Sequence, residues 1–527
     1  MKNSFVLNIL YFFSKPYWFY GSVFVLVVLA GCLLYYDMRF GPWAFSDSAE
    51  YIISARNLVE GYGLGIHGPN GNFMPLSLHP PFYSIILAPF AALNVDIFVM
   101  IKWLNILLFT GSVFLLTYGG YKITKSALFS LSIGLIFLVS PAMLNNFNGA
   151  MTEPLFIFLS IANLIFLNLS IKNKSKWFFW LAVFTASFAT LTRYIGFASI
   201  LTGFLFLFLF TDSSWKKRFV IAFLYSISAG ILLLIWFVYL DGNSGAMASR
   251  SFDLGKGIIE AFTVNRIALT EVLAKWLPFR ISWFPSWKSK IFTIYSTFLI
   301  TAFLLLFLII SCWKKKDKLF ANPLFLILSA GFYCVSYFSF LVISFFSSLP
   351  PDLNERMFSP LLIFIYILIF GSLFFVIKSF KLPQIINLIP IALLLIISIS
   401  YWQQTRSIAL DRHKFAYSYS SPTWKNSNLI NEIKNSSRKT ALYSNHPVGI
   451  LLHTGLFPYE ISGLQQVTVN TNNTQHLTMA LFYPISDEDQ LIIDDFFSSE
   501  ADMRFDLVAK KEFSDGIIYQ FAANEKN

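Results

Sequence analysis

The chain of 527 residues is 56% hydrophobic and 13% charged, where an average soluble domain carries about a quarter charged residues. That much apolar surface, with 60 phenylalanines, needs lipid around it and excludes a water-soluble fold. The formal net charge of +11 lies in short lysine clusters between apolar runs rather than on one basic face, so it reads as a topology signal and not as a nucleic-acid surface.

In chain order, the apolar runs predict transmembrane helices over 17–36, 97–119, 126–144, 152–171, 177–193, 194–211, 218–240, 291–311, 320–348, 357–377 and 385–403, eleven in all. Such runs match helices that must cross a hydrocarbon core of about 30 Å. Leu29-Ala30-Gly31-Cys32 has the form of a lipoprotein cleavage box, but the run continues from Leu33 to Tyr36 and suits an uncleaved signal anchor. Cys32, Cys312 and Cys334 lie in or beside apolar runs without C-x-x-C spacing, which indicates neither a disulfide framework nor a zinc site. Lys2 and Lys15, Lys122 and Lys125, Lys172, Lys174 and Lys176, Lys216, Lys217 and Arg218, Lys314 to Lys318, and Lys378 and Lys381 all fall on one side, the cytoplasm by the retention of basic residues in short inner loops. That parity makes Pro80 to Asn94, too short to cross, a re-entrant or juxtamembrane segment. It also demands a break near Thr192-Arg193-Tyr194.

The outer face then receives the loops 37–96 and 241–290, short links holding Glu153 and Arg356, and the C-terminal tail. Ile258 to Leu277 reads as a helix lying in the membrane interface, followed by Trp283 and Trp287 and bordering a lipid-accessible groove. From about Gln404 the composition turns soluble. Helix-like Asn428 to Lys434, β-like runs at Thr440 to Ser444, Gly449 to His453 and Val467 to Val469, an acidic helix over 487–500, and the pair Asp506 to Ala509 and Gly516 to Phe521 predict a small α/β domain outside the membrane. The chain therefore divides into a transmembrane domain over 1–403 and an extracytoplasmic domain over 404–527.

The polar residues singled out by this topology each support two readings. Asp47, Glu50 and Tyr51 share one face of a helix that ends at Gly61-Tyr62-Gly63-Leu64-Gly65, a turn rather than a dinucleotide loop. Asp47 suits a general base on an acceptor hydroxyl, and equally an N-cap with Glu50 completing a capping box. Glu153, in Met151-Thr152-Glu153-Pro154, sits where a helix dipole favours an acid, yet a carboxylate at a membrane boundary is also a candidate to bind a divalent cation or orient an acceptor. Arg193 and Arg356 each close the outer end of a span, where snorkelling explains one arginine, while two, with His79 before Pro80-Pro81, suit a phosphate gripped by guanidinium forks.

Asp47-Ser48-Ala49-Glu50-Tyr51, Ala55-Arg56-Asn57-Leu58 before Gly61 and Gly63, His79-Pro80-Pro81-Phe82-Tyr83, Thr152-Glu153-Pro154, Thr192-Arg193-Tyr194 before Gly196, and Arg356 before Pro360 occur in one order along residues 17–403. This series resembles the landmarks of the GT-C glycosyltransferases, nearest the bacterial relatives of the protein O-mannosyltransferases and of the aminoarabinose transferase that modifies lipid A. The resemblance implies a sugar donor on polyprenyl phosphate, a glycan, lipid or protein acceptor, and no nucleotide cofactor. It makes Asp47 the base with Glu50 and Glu153 as further catalytic carboxylates, Arg193, Arg356 and His79 the contacts of the donor phosphate, and Tyr51 and Tyr194 substrate contacts. It also places the protein in a bacterial inner membrane with its site on the periplasmic side. Here the sequence departs from relatives that carry adjacent acids or a lysine before the double proline. Two other readings are an oligosaccharide ligase or polymerase, which shares the basic outer face, and a transporter, which would want mid-membrane ionisable groups and paired repeats that the sequence does not display.

Overall fold

The computed structural model describes residues 16–68, 72–93, 95–244, 257–276, 324–347, 353–379, 388–416, 418–435, 441–464, 476–498 and 505–523. In chain order its helices begin with α1 (Pro16–Asp37) and α2 (Ser46–Val59), then the hairpin β1 (Gly65–His67) and β2 (Phe73–Pro75). The short α3 (Phe82–Ala92), α4 (Ile97–Phe114), α5 (Ala127–Val139), α6 (Pro141–Asn148), α7 (Glu153–Lys172), α8 (Lys176–Thr192), α9 (Phe197–Phe210) and α10 (Trp215–Ser244) follow. The last of the apolar series are α11 (Ile258–Trp276), α12 (Leu324–Ser344), α13 (Glu355–Ser379) and α14 (Leu388–Lys414).

Every expected span that falls on described residues is helical, and the one over 291–311 lies outside them, as do Trp283 and Trp287. Among the described helices α1, α4, α7, α10, α12 and α13 are individually long and apolar enough to cross a membrane, and α5 with α6, bent by 59°, makes a seventh candidate. The chain is an integral membrane protein of mostly helical architecture with a C-terminal sheet domain.

Two compact units emerge. One comprises Met1–Arg39, Ser77–Tyr83 and Lys102–His413; the other comprises Phe40–Leu76, Ser84–Ile101 and Lys414–Asn527.

The first unit is built around α7, the most buried of its spans. With no water available, polar side chains on α7 must pair with neighbouring helices. Asn163 Nδ2 donates to the Ala182 carbonyl of α8 at 2.7 Å and to Tyr225 Oη of α10 at 2.9 Å. Asn168 Nδ2 donates to Ser329 Oγ of α12 at 2.8 Å, and Tyr333 Oη of the same helix donates to Ser160 Oγ at 3.0 Å. Small residues allow the close approach: a Cβ on Gly203 of α9 would come within 2.1 Å of the Tyr225 ring. At the bend between α5 and α6, Pro141 opens the second helix, and the Val139 carbonyl accepts from Thr405 Oγ1 of α14 at 2.7 Å.

The expected break after Thr192 is present. Arg193 is extended (φ −148°, ψ 136°), Tyr194–Gly196 form one 3₁₀ turn, and α9 begins. Gly196 is required there because a Cβ would lie 2.4 Å from the Ala189 carbonyl.

In the second unit, α15 (Asn428–Asn435), β3 (Ala441–Ser444), α16 (Pro447–Thr454), β4 (Tyr459–Glu460), β5 (His476–Phe482), α17 (Asp487–Ser498), β6 (Phe505–Phe513) and β7 (Gly516–Ala523) complete the chain. The sheet order is β4-β3-β5-β7-β6, with β3 parallel to β4 and β5 and β7 antiparallel to β5 and β6. Alternate residues serve the two faces: Leu477, Met479 and Leu481 join Ile493 and Phe496 of α17, while Ala480 and Phe482 join Leu429, Ile430 and Ile433 of α15.

Two expectations are corrected. Gly449 to His453 is not a strand but lies in α16, opened by Pro447 at its first turn and closed by Gly455 at φ +74°. Caps rather than period decide so short an apolar run. The central strand β5 was not expected, because a strand buried on both faces lacks the alternation that marks a half-exposed one. The run Val467 to Val469 lies outside the described residues.

Replacing Asn163 by alanine removes bonds to two helices and leaves Tyr225 with a poorer environment. Thermal unfolding in detergent should show a loss of ~1–2 kcal/mol; an unchanged melting temperature would mean that α7 is held by packing alone.

Candidate functional site

In the first unit, the sequence places Glu153 at the first position of α7, followed by Pro154, which is tolerated there because that turn has no N–H partner to lose. Glu153 is 1% exposed, and two guanidinium groups meet its Oε1: Arg193 Nη1 at 2.6 Å and Arg356 Nε at 2.7 Å. The extended backbone at Arg193 turns its side chain out of the α8–α9 break. Its Nη1 also lies 3.0 Å from Thr152 Oγ1, and its Nη2 lies 2.9 Å from Met357 Sδ. Arg356 comes from the first turn of α13 and keeps 38% of its side-chain surface exposed against 15% for Arg193. Both guanidinium groups thus converge on one carboxylate oxygen, with Arg356 the more exposed of the two.

Around this cluster the chain is tied down by aromatic hydroxyls. Tyr194 Oη donates to the Ser77 carbonyl at 3.2 Å and accepts from Trp236 Nε1 at 3.3 Å. Ser77 stands two residues before the half-buried His79. Tyr83 is fully buried within electrostatic reach of Glu153, and Tyr337, which donates to the Met357 carbonyl at 2.5 Å, is within reach of both Arg193 and Glu153. The structure thus brings Glu153, Arg193 and Arg356 into contact and anchors Tyr194 beside them.

Asp47, Glu50 and Tyr51 belong to the second unit, on α2. The capping-box reading of Asp47 and Glu50 is corrected by the helix start. The N-cap is Phe45, whose N–H donates to Ser48 Oγ at 2.8 Å, so the reciprocal cap belongs to Ser48 and Asp47 stands inside the first turn. There its carboxylate meets the positive end of the helix dipole. Glu50 is half-buried, and burial first, the Asp47 charge second, raises its pKa to about 7. Tyr51 is 1% exposed and packed in the core.

One charged group was missed. Asp37, fully buried at the end of α1, accepts from Asn148 Nδ2 at 2.5 Å and pairs with Arg412 Nη1 at 3.3 Å, while Arg412 Nη2 donates to Asn145 Oδ1 at 2.9 Å. The signal was available: Asp37 ends the first apolar run as Glu153 opens another, and both are carboxylates at a membrane boundary. Among the described residues no group of three or more His, Cys, Asp or Glu gathers to hold a metal.

No protein-family profile matches the chain, and no curated protein does either. Solved structures do. The chain is similar to ArnT from Cupriavidus metallidurans bound to undecaprenyl phosphate, with a TM-score of 0.55 at 12% identity over 95% of this chain and 98% of that one. The apo state of the same protein gives a TM-score of 0.54 at 12% identity over the same shares of 95% and 98%. The archaeal oligosaccharyltransferase AglB from Archaeoglobus fulgidus, in complex with an inhibitory peptide and a dolichol-phosphate, gives a TM-score of 0.52 at 11% identity over 97% of this chain and 75% of that one.

The Glu153 cluster generates a test of its own. Glu153→Gln would remove the charged oxygen on which both guanidinium groups converge. The expected loss of stability is on the order of 2–3 kcal/mol, below the range for fully buried pairs because Arg356 keeps water. Thermal unfolding in detergent measures it; a variant as stable as the wild type would mean that the two arginines are solvated independently.

Proposed function

We propose that this protein, which has the GT-C fold of ArnT and AglB, is a glycosyltransferase that moves a sugar from a polyprenyl-phosphate carrier to an acceptor at the outer face of the membrane. The observation that carries this reading is the pair of arginines gathered on the buried Glu153. Guanidinium groups gathered at the end of a span suit the anionic oxygens of a phosphodiester. Arg356, the more exposed, grips the donor phosphate, and Arg193, committed to Glu153 and Thr152, fixes the cluster. His79 is the third phosphate contact, and Tyr194 lines the donor side. A neighbour in the same fold holding undecaprenyl phosphate supports the choice of donor.

Asp47 acts as base. It takes the proton of an acceptor hydroxyl as that oxygen attacks the anomeric carbon, the bond from that carbon to the phosphate oxygen breaks, and polyprenyl phosphate leaves with the negative charge that develops on its phosphate oxygen stabilised by the arginines. Attack opposite the leaving group inverts the anomeric centre. Glu50, poised near neutral, and Tyr51 support Asp47. The working division is a transmembrane catalytic domain over 1–403 and an extracytoplasmic domain over 404–527, in a bacterial inner membrane with the site on the periplasmic side. The likeness to AglB supports one second reading, transfer of a whole oligosaccharide; a panel of polyprenyl-phosphate monosaccharides against diphosphate-linked glycans separates the two.

Since Asp47 is not the cap, Asp47→Asn leaves the helix start intact and removes only the base. Turnover should fall by roughly two to four orders of magnitude with the melting temperature little changed. Full turnover in this variant removes Asp47 from the mechanism. Glu50 titrates near pH 7, ionising as pH rises, so Glu50→Gln should flatten the pH dependence of turnover between about 6 and 8; an unaltered profile assigns that titration elsewhere. Topology is checked in a cysteine-free background. A cysteine at the exposed Glu488 should react with an impermeant maleimide in intact spheroplasts, and one at the exposed Lys174 only after lysis. The reverse pattern would invert the orientation.

A further inference from the structure

The helix that carries Asp47 and Glu50 is fastened by the C-terminal segment within the second unit. In its lead-in, residues 41–44, backbone groups of Pro42 and Ala44 are met by two buried serines. Ser418 Oγ accepts from the Ala44 N–H at 3.0 Å and donates to the Pro42 carbonyl at 3.0 Å, and Ser420 Oγ donates to the same carbonyl at 2.5 Å. Gly41 makes the turn possible: at φ +100°, a Cβ there would lie 2.7 Å from Ser420 Oγ. These contacts fix the chain immediately before Phe45, the N-cap of α2.

The far end of α2 is held by a charge. Arg56 Nη1 donates to the Leu452 carbonyl at 2.9 Å. Leu452 lies in the last turn of α16, where carbonyls lack helical partners and the dipole favours a cation. At the same end of α2, Asn57 Nδ2 donates to the Gly65 carbonyl at 2.7 Å. A third strap joins the same domain to the lead-in of α4, through the Lys425–Asp96 ion pair and Lys425 lying 5.5 Å over the Phe98 ring.

We infer that the C-terminal domain is a working part of the acceptor side of the site, with Ser418 and Arg56 as positioning residues that set the start and the end of α2 and so the aim of the Asp47 and Glu50 carboxylates. The inference rests on the transferase reading above for its catalytic consequence, and on the hydrogen bonds alone for its structural one. Neither residue touches a reacting atom. Each acts through the backbone to which it bonds.

The experiment measures both consequences on the full chain in nanodiscs, using Ser418→Ala, Arg56→Ala and Arg56→Lys. Amide hydrogen exchange over 46–59 should quicken by about tenfold in both alanine variants, while α7 keeps its protection. Turnover should drop by about tenfold to a hundredfold with the affinity for polyprenyl phosphate unchanged, the signature of a misplaced base rather than a damaged donor site. Arg56→Lys, which can still donate to one carbonyl, should recover much of both. Unchanged exchange over 46–59 in both alanine variants overturns the positioning role, and quickened exchange with full turnover overturns the catalytic one. If Asp47→Asn itself stays active, the transferase reading fails separately, and the exchange result still decides whether these residues hold α2.

Discussion

Glu153 is the point on which the first unit's polar chemistry turns. A carboxylate moved out of water carries a desolvation penalty of several kcal/mol, which opposite charge and a helix dipole can offset. Here the offset comes from three places at once: the start of α7, the break between α8 and α9, and the first turn of α13. Each of those features is local and sequence-encoded, by Pro154 after the acid, by Gly196 after Arg193, and by Glu355 before Arg356. Their convergence on one oxygen makes a rigid basic group at a place where a lone arginine would drift with the headgroups.

The same logic, applied to neutral groups, orders the helices around it. Asn163 on α7 reaches α8 and α10, and Asn168 and Ser160 reach α12, so the helix that delivers Glu153 is keyed by hydrogen bonds to all three neighbours. Individually such bonds are weak, about 0.6 kcal/mol on average in membranes. Their value lies in direction, since a one-residue rotation of α7 would lose them together.

Much of this was legible in the sequence, for physical reasons. Apolar run length and lysine parity place the break near Thr192-Arg193-Tyr194, and the helical spacing of apolar residues places the helix Ile258–Trp276. The GT-C fold was legible through the order of its landmarks. The pairing of Glu153 with Arg193 and Arg356 was not, because three residues separated by 40 and 163 positions meet only in tertiary structure. Nor was the true cap of α2, since Ser48 and Asp47 both suit a helix start and only the backbone at Phe45 decides between them. In the C-terminal domain the exposed strands were readable by alternation. The doubly buried β5 and the capped α16 were not.

The break at Arg193 has a further consequence for the lipid around it. With 17 residues, α8 is about 25 Å long at 1.5 Å per residue, several ångströms less than a hydrocarbon core of about 30 Å. A span that short is accommodated by local thinning of the bilayer and by flanking polar groups reaching outward. Thinning of that kind would draw headgroups toward the Arg193 turn. An anionic headgroup in that layer would then meet the guanidinium groups without having to enter a deep cleft.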